Sequence, residues 1–376
     1  MMATLNNVLV SGGGTGGHIH PALAIADEIK RRNPDAQVRF VGALGRMEMD
    51  KVPAAGYGID GLWISGIDRS LISTRNLSFP FKLLSSLWKA RRLLRKHKPQ
   101  AVVGVGGFAS GPLLDQAVRK GIPTLIQEQN SFPGITNRLL AKRVDRICAG
   151  LPGLERWFPA ERIVETGNPL RAHVCELASA PPEQRAEALT HWGLAADRPV
   201  VFVMGGSLGA QSMNEAVQAI LSKQPRLSER GYQVLWQCGA RYEAACQAWL
   251  NAHPCDGVVC SGFIDRMDLA YQAASIIASR AGAMSIAELA LVGKASILVP
   301  SPHVAEDHQT HNARSLTELG GAVLLPDCEV REKLGTQLTH LLDDIEACET
   351  MAQAMKAAAR PDAASVVVDE LEKLVS

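Results

Sequence analysis

Gly12-Gly13-Gly14-Thr15-Gly16-Gly17-His18, with Pro21 close behind, is the stretch on which the fold turns. Before it runs Val8-Leu9-Val10, an apolar β-branched run that predicts a strand. After it, Pro21 to Ile29 places apolar residues at helical spacing. A strand ends, a glycine loop turns and a helix begins. Glycine permits positive φ and close approach of a ligand to the main chain. A helix start adds free N–H groups and partial positive charge. This unit therefore predicts a binding loop for a phosphorylated ligand. Five glycines around one threonine exceed what a tight turn needs.

Gly12, Gly14 and Gly17 fit G-x-G-x-x-G. A dinucleotide site also wants a carboxylate at the end of the second strand, roughly 20 residues on. The second strand, Val38–Val41, ends in Gly42-Ala43, which argues against NAD. A P-loop closes in Gly-Lys-Ser/Thr. This one closes in Gly17-His18, which argues against an ordinary NTPase.

The 376 residues suggest two domains, and 47% hydrophobic against 20% charged residues suffices for proper cores. A net charge of +1 excludes a generic nucleic-acid binder, so no nucleic-acid partner is expected. The start, Met1 to Asn7, lacks the basic opening of a signal peptide, and no apolar run is long enough to span a bilayer. Eight cysteines, none in a C-x-x-C pair, read as reduced thiols packed as small apolar residues. No metal site and no cofactor are expected.

The N-terminal half alternates strands (Val8–Val10, Val38–Val41, Ile59–Trp63, Ala101–Val105, Thr124–Gln127, Asp145–Cys148, Arg162–Glu165) with helices (Pro21–Arg32, Glu48–Ala54, Phe81–His97, Pro112–Lys120, Thr136–Ala141). Such alternation implies an α/β fold with a mostly parallel sheet, whose ligands bind at the carboxyl ends of the strands. Three polar or glycine-rich loops fall at those ends: residues 104–112, Gln127-Glu128-Gln129-Asn130, and Thr166-Gly167-Asn168-Pro169-Leu170-Arg171. The region 168–197, with Pro181-Pro182 and many charges, reads as the junction between domains.

The pattern then restarts. The strand Val200–Met204 runs into Gly205-Gly206-Ser207-Leu208-Gly209-Ala210 and a helix from Gln211. Further strands are expected at Gln233–Gln237, Gly257–Cys260, Ile276–Ala278, Ser296–Val299 and Ala322–Leu325. Gly282 opens another helix with an anion-friendly start. Glu288, one to two turns inside it, can accept two hydrogen bonds from a ribose diol. Repetition of the unit implies two doubly wound Rossmann-like domains facing across a cleft.

In this order, the motifs resemble the MurG family of bacterial peptidoglycan glycosyltransferases, over nearly the whole chain. The match rests on residues 13–18 with Pro21, Gly106 to Pro112, Glu128-Gln129-Asn130, Gly167 to Arg171, Gly205 to Ala210, Arg280-Ala281-Gly282-Ala283, and Gln309 to Asn312. The resemblance implies the glycosyltransferase B architecture. Residues 1–167 would form an acceptor and membrane-facing domain, and 168–359 a UDP-sugar domain. The last helix, about 360–376, would pack back on the first domain. It implies transfer of N-acetylglucosamine from UDP-N-acetylglucosamine to the undecaprenyl-diphospho-N-acetylmuramoyl-pentapeptide lipid, by a peripheral protein at the cytoplasmic face of the inner membrane. By the same resemblance, Thr15, Gly16 and Gly17 border the sugar, and Asn130 binds the donor's N-acetylglucosamine. Arg171 and Ser207 contact the diphosphate, and Ile264 meets uracil through its backbone. Ala283, Met284, Ser285, Ile286, Ala287 and Glu288 hold diphosphate and ribose, and Gln309 binds sugar hydroxyls. Family members often carry two adjacent glutamines where this chain has His308-Gln309.

An inverting displacement needs a base for the acceptor hydroxyl and stabilisation of the departing diphosphate. No Asp-x-Asp pair is present to hold a metal. His18, at the end of the first loop, is the candidate base. A sugar-nucleotide epimerase of the same architecture is the alternative enzyme, and a non-catalytic nucleotide-binding module the alternative outside enzymes. Residues 69–98 carry nine Lys/Arg and no Asp or Glu, interleaved with leucines and aromatics. This predicts a helix that docks on an anionic membrane surface. Leu83, Leu84, Leu87 and Leu94 would share its apolar side, with Phe79, Phe81 and Trp88 left outside.

Overall fold

A computed structural model of the protein describes residues 3–66, 74–179, 183–206, 208–223 and 231–376. The chain divides into two compact units: residues up to Arg171 together with Arg360–Ser376, and Ala172–Ala359. The division falls after Arg171 because the Asn168 side chain is tied by hydrogen bonds to Gln127 and Gln129 of the first unit.

The first unit holds a seven-stranded sheet: β1 (Asn7–Gly12), β2 (Gln37–Ala43), β3 (Gly58–Leu62), β4 (Ala101–Gly106), β5 (Thr124–Glu128), β6 (Arg146–Ala149) and β7 (Ile163–Glu165). Its order is β3-β2-β1-β4-β5-β6-β7, and every pair is parallel. The central strands β1 and β4, buried on both faces, are near-continuous apolar runs whose side chains alternate between two cores. Val8 and Val10 join Ile25, Val367 and Leu371 on one face, while Leu9 joins Leu94, Leu113 and Ile126 on the other. The helix Ala363–Val375 packs on the helix Gly16–Arg32. Arg32 pairs with Asp369 (2.7 Å) and Glu372 (3.1 Å), and Arg146 with Glu370 (3.1 Å).

The second unit holds six strands: β8 (Val200–Met204), β9 (Gln233–Gln237), β10 (Val258–Ser261), β11 (Ile276–Ser279), β12 (Ala295–Leu298) and β13 (Ala322–Leu324). The order is β10-β9-β8-β11-β12-β13, again wholly parallel.

Two helices differ from expectation. The first begins at Gly16 rather than Pro21, with Thr15 as its N-cap. Pro21 thus lies inside it and supplies no N–H to the Gly17 carbonyl one turn back. The helix expected from Phe81 runs Thr74–His97, and its apolar residues split between opposite sides. Phe79, Leu83, Ala90, Leu93 and Leu94 pack on the core. Leu77, Phe81, Leu84 and Trp88 are 63–76% exposed. The two stripes, 79-83-86-90 and 77-81-84-88, are offset by two residues, about 200° around the axis. Phe79 is therefore inside and Leu84 outside, the reverse of the expected placement. Leu83 and Leu94 face the sheet, and Leu87 is half-buried.

Candidate functional site

Each sheet reverses its strand order once, between β1 and β4 in the first unit and between β8 and β11 in the second. At such switch points the loops from two neighbouring strands diverge and leave a crevice at their carboxyl ends. The loops that carry Gly13, Gly107, Gly205 and Gly282 leave from these four strands.

In the first unit the loops after β1 and β4 touch backbone to backbone. Gly106 and Gly107 have φ of +103° and +89°. A Cβ on Gly107 would stand 2.4 Å from the Gly13 carbonyl oxygen, and one on Gly106 would stand 2.8 Å from His18 Cε1. Only glycine fits either place. The Ser110 hydroxyl bridges the loops, within 2.9 Å of the Ser11 carbonyl and 2.8 Å of the Gly106 carbonyl.

The first loop does not present all its N–H groups to a ligand. Glu48, buried at the start of the next helix, accepts from Gly14 N–H (2.8 Å) and Ala43 N–H (3.0 Å). A carboxylate of the protein already occupies one donor that a phosphate would have used. The first-turn N–H groups of Gly16 and Gly17 have no acceptor within the helix. Thr15 and Gly17 are exposed and Gly16 is half-buried.

His18 stands in the first turn of the helix Gly16–Arg32, with Nδ1 2.8 Å from Gln129 Oε1. Gln129 is buried, and its Nε2 donates to the carbonyls of Val105 (2.9 Å) and Gln127 (3.0 Å). Glu128, also buried, shapes the next turn. It accepts from Asn130 N–H (3.1 Å), Gly134 N–H (3.1 Å) and the Asn137 side chain (2.8 Å). Asn130 itself is half-buried, one residue beyond Gln129. Arg171 lies in this unit, 3.6 Å from Asp27, which also accepts the Tyr57 hydroxyl at 2.7 Å.

In the second unit the helix Ala283–Val292 starts at Gly282 with no side chain capping it. Its first-turn N–H groups point from the carboxyl end of β11. Ala283 and Ile286 are buried, while Met284, Ser285, Ala287 and Glu288 are half-buried. Glu288 accepts the Tyr271 hydroxyl at 2.7 Å. Burial holds its carboxyl above the ordinary carboxylate value, against the opposing effect of that hydrogen bond. The Tyr271 phenol is pushed well up by burial and by the carboxylate beside it. Ile264 is buried in the segment after β10. Gln309, half-buried, uses its Oε1 on Ser301 N–H (2.9 Å), so its amide N–H₂ is the group left to donate. Just before it, Glu306 and Asp307 both adopt positive φ, +56° and +49°, a strained pair of the kind that accumulates at functional sites. Ser207 lies outside the described residues. Among the described residues no group of three or more His, Cys, Asp or Glu is placed to share a metal ion.

Two features were out of reach of the sequence. Arg280, just before the helix start at Gly282, is a clamp. Its guanidinium donates to Val299 and Pro300 carbonyls (3.2 Å each), Asp327 (2.5 Å) and Ser212 (2.9 Å). Glu48, unremarkable in sequence, is the plug beneath the first loop.

Two parallel α/β units, each with glycine loops and a helix start at its switch point, define a nucleotide-sugar enzyme of the glycosyltransferase B class. Residues 8–149 match the glycosyltransferase family 28 N-terminal domain, and residues 200–367 its C-terminal domain. The chain is 49% identical over 369 residues to the UDP-N-acetylglucosamine--N-acetylmuramyl-(pentapeptide) pyrophosphoryl-undecaprenol N-acetylglucosamine transferase of Christiangramia forsetii, covering 98% of each. It is 45% identical to the enzyme of that name from Porphyromonas gingivalis, covering 98% of this chain and 95% of the other. The crystal structure of Acinetobacter baumannii MurG superposes with a TM-score of 0.77 at 30% identity, covering 98% of this chain and 99% of the other. A UDP-GlcNAc 2-epimerase from Neisseria meningitidis shares the fold, with a TM-score of 0.67 at 15% identity and coverage of 98% and 100%. The chain belongs to the MurG family within glycosyltransferase family 28.

Proposed function

We propose that this protein transfers N-acetylglucosamine from UDP-N-acetylglucosamine to the lipid-linked N-acetylmuramoyl-pentapeptide of undecaprenyl diphosphate, with inversion at the anomeric carbon. The observation that carries this is near-full-length identity of 49% to a transferase of that activity. The epimerase likeness is one of fold alone.

The roles divide by unit. The C-terminal unit takes the nucleotide. The open N–H groups of the helix Ala283–Val292, with Ser207, receive the diphosphate and stabilise it as it leaves. Glu288, held by Tyr271, has its second oxygen left for the ribose hydroxyls. Ile264 meets uracil, and the Gln309 amide donates to sugar hydroxyls. The N-terminal unit takes the acceptor. His18 removes the proton from its hydroxyl as that oxygen attacks, while Thr15, Gly16 and Gly17 border the sugars. Asn130 and Arg171, supported by resemblance, bind the donor sugar and its diphosphate.

The acceptor's polyprenyl chain stays in the bilayer, so the enzyme must work at a membrane surface. Among the described residues no helix is long and apolar enough to cross one. The outward stripe Leu77, Phe81, Leu84 and Trp88, with exposed Arg91, Arg92, Arg95 and Lys96 farther along, supports peripheral docking on an anionic leaflet. The cytoplasmic face of the inner membrane is the side we assign.

UDP release from UDP-N-acetylglucosamine should require the lipid-linked acceptor. Release of UDP without acceptor, or formation of an epimerised sugar nucleotide, would overturn the assignment. His18→Ala should lower turnover by about 10²–10⁴-fold with UDP affinity retained. A loss of only a few-fold at saturation would remove the base.

A further inference from the structure

The contact between His18 and Gln129 has a direction. Gln129 Nε2 lies within 2.9 Å of the Val105 carbonyl and 3.0 Å of the Gln127 carbonyl. Carbonyls only accept, so the amide N–H₂ must face them. The Gln127 side-chain oxygen, 2.5 Å away, is a third acceptor on the same side. Gln129 Oε1 is thereby turned toward His18 and can only accept. His18 Nδ1, 2.8 Å from it, must donate. The imidazole carries its proton on Nδ1 and keeps its lone pair on Nε2.

The arrangement is enforced from behind. Gln127 Nε2 donates to Asn168 Oδ1 (3.0 Å), and Asn168 Nδ2 donates to the Gln129 carbonyl (3.0 Å). Gln127, Gln129 and Asn168 are 0–2% exposed, so no water competes for these amides. Gly106 sits against the imidazole edge and leaves room for nothing larger.

We propose that Gln129 is a positioning residue for the transfer: it sets the His18 tautomer so that Nε2 is the basic atom offered to the acceptor hydroxyl. The proposal rests on His18 being the base. An amide orienter holds the ring without placing a buried charge beside it, unlike the carboxylate of a Ser-His-Asp triad. The proton taken from the acceptor hydroxyl goes to Nε2, the hydroxyl oxygen bonds to the anomeric carbon, and the bond from that carbon to the UDP oxygen breaks with its electron pair.

The test joins kinetics to ¹⁵N NMR of histidine-labelled protein, with the His18 signals identified by their loss in His18→Ala. In the native enzyme at alkaline pH, His18 should show the proton on Nδ1. In Gln129→Met it should move toward the Nε2–H tautomer that free imidazole side chains prefer in water. Turnover should fall about 10–100-fold, the scale of losing an orienting partner, with KM for UDP-N-acetylglucosamine within about twofold. Gln129→Glu, held protonated by the carbonyls that its other oxygen would face, keeps an acceptor on Nδ1–H, should retain the native tautomer and should recover part of that loss. Thr124→Val, which removes a buried hydroxyl bonded to Asp145 at 2.8 Å, is the stability control and should turn over normally. An unchanged tautomer in Gln129→Met overturns the proposal whatever the rates do. A changed tautomer with native turnover overturns the positioning role. If His18→Ala also turns over normally, the base reading falls first, and the NMR shows that Gln129 still orders the ring.

Discussion

Glu288 combines two demands on one carboxylate. Burial keeps its carboxyl above the ordinary value of 4.5, so the folded unit binds that proton more tightly than the unfolded chain does. Ionisation therefore works against the fold, beginning as pH rises through 4.5 and reaching its full extent above the folded value. Glu288→Gln, a neutral stand-in for the protonated acid, should melt above the native protein at pH 8, with the gap closing toward pH 4.5. The same variant should bind UDP more weakly, because the amide loses the charged acceptor for the ribose diol. Melting curves with and without UDP at both ends of the range check this; a variant that melts below native at pH 8 without ligand contradicts it. At this scale the sequence was partly legible. Glu288 could be placed one turn into a helix from local spacing alone. Its partner Tyr271, the Glu48 plug and the line Asn168–Gln127–Gln129–His18 could not. They depend on residues 17, 34 and 111 positions apart meeting across strands and helices. The Arg280 clamp was hidden for the same reason, since its four acceptors come from distant segments.

The helix Thr74–His97 carries two apolar stripes, one for the sheet and one for the surroundings. A period of 3.6 shows that leucines are present on both but not which stripe meets the core; only the position of the neighbouring helix Ser110–Val118 decides that. Lys82 helps fix the inward placement by bonding Ser65 Oγ at 3.1 Å and lying over the Trp63 ring. Because the outer stripe contributes nothing to the core, it can be altered without unfolding the unit. Leu84→Glu with Trp88→Glu should weaken binding to anionic liposomes by at least about tenfold, given roughly 1.5–3 kcal/mol for each large apolar side chain withdrawn from water. UDP affinity and melting temperature should stay near native. Leu83→Glu, on the inner stripe, should instead lower the melting temperature sharply. Co-sedimentation at low and high salt, with anionic and neutral vesicles, measures the first effect. Equal binding by the double variant and the native protein would dismiss the stripe as a membrane contact.

Among the described residues, the thirteen strands fall near where the sequence predicts them, most sharply at β1, β4 and β8, where burial on both faces leaves little freedom in composition. Strand order is not in any apolar run. It puts the loops after β1, β4, β8 and β11 at two switch points. The helix Ala363–Val375 is a long-range feature, joining the last residues of the chain to its first unit. Val367, Val368 and Leu371 are fully buried in the same core as Val8 and Ile25. A chain ending at Ala359 loses three buried side chains worth roughly 1.5–3 kcal/mol each, together with the partners of Arg32 and Arg146. Limited proteolysis of that chain should cut the N-terminal unit first; equal resistance of both units would show that the helix is dispensable.

That placement also sets an order in time. Ribosomes deliver a chain from its first residue onward, and N-terminal domains commonly finish folding while later ones are still being made. Here the earliest unit waits for residues that emerge only after the entire second unit has been synthesised. Until then Val8, Ile25 and their neighbours lack their final cover, so the first half of the protein to be born is the last to close.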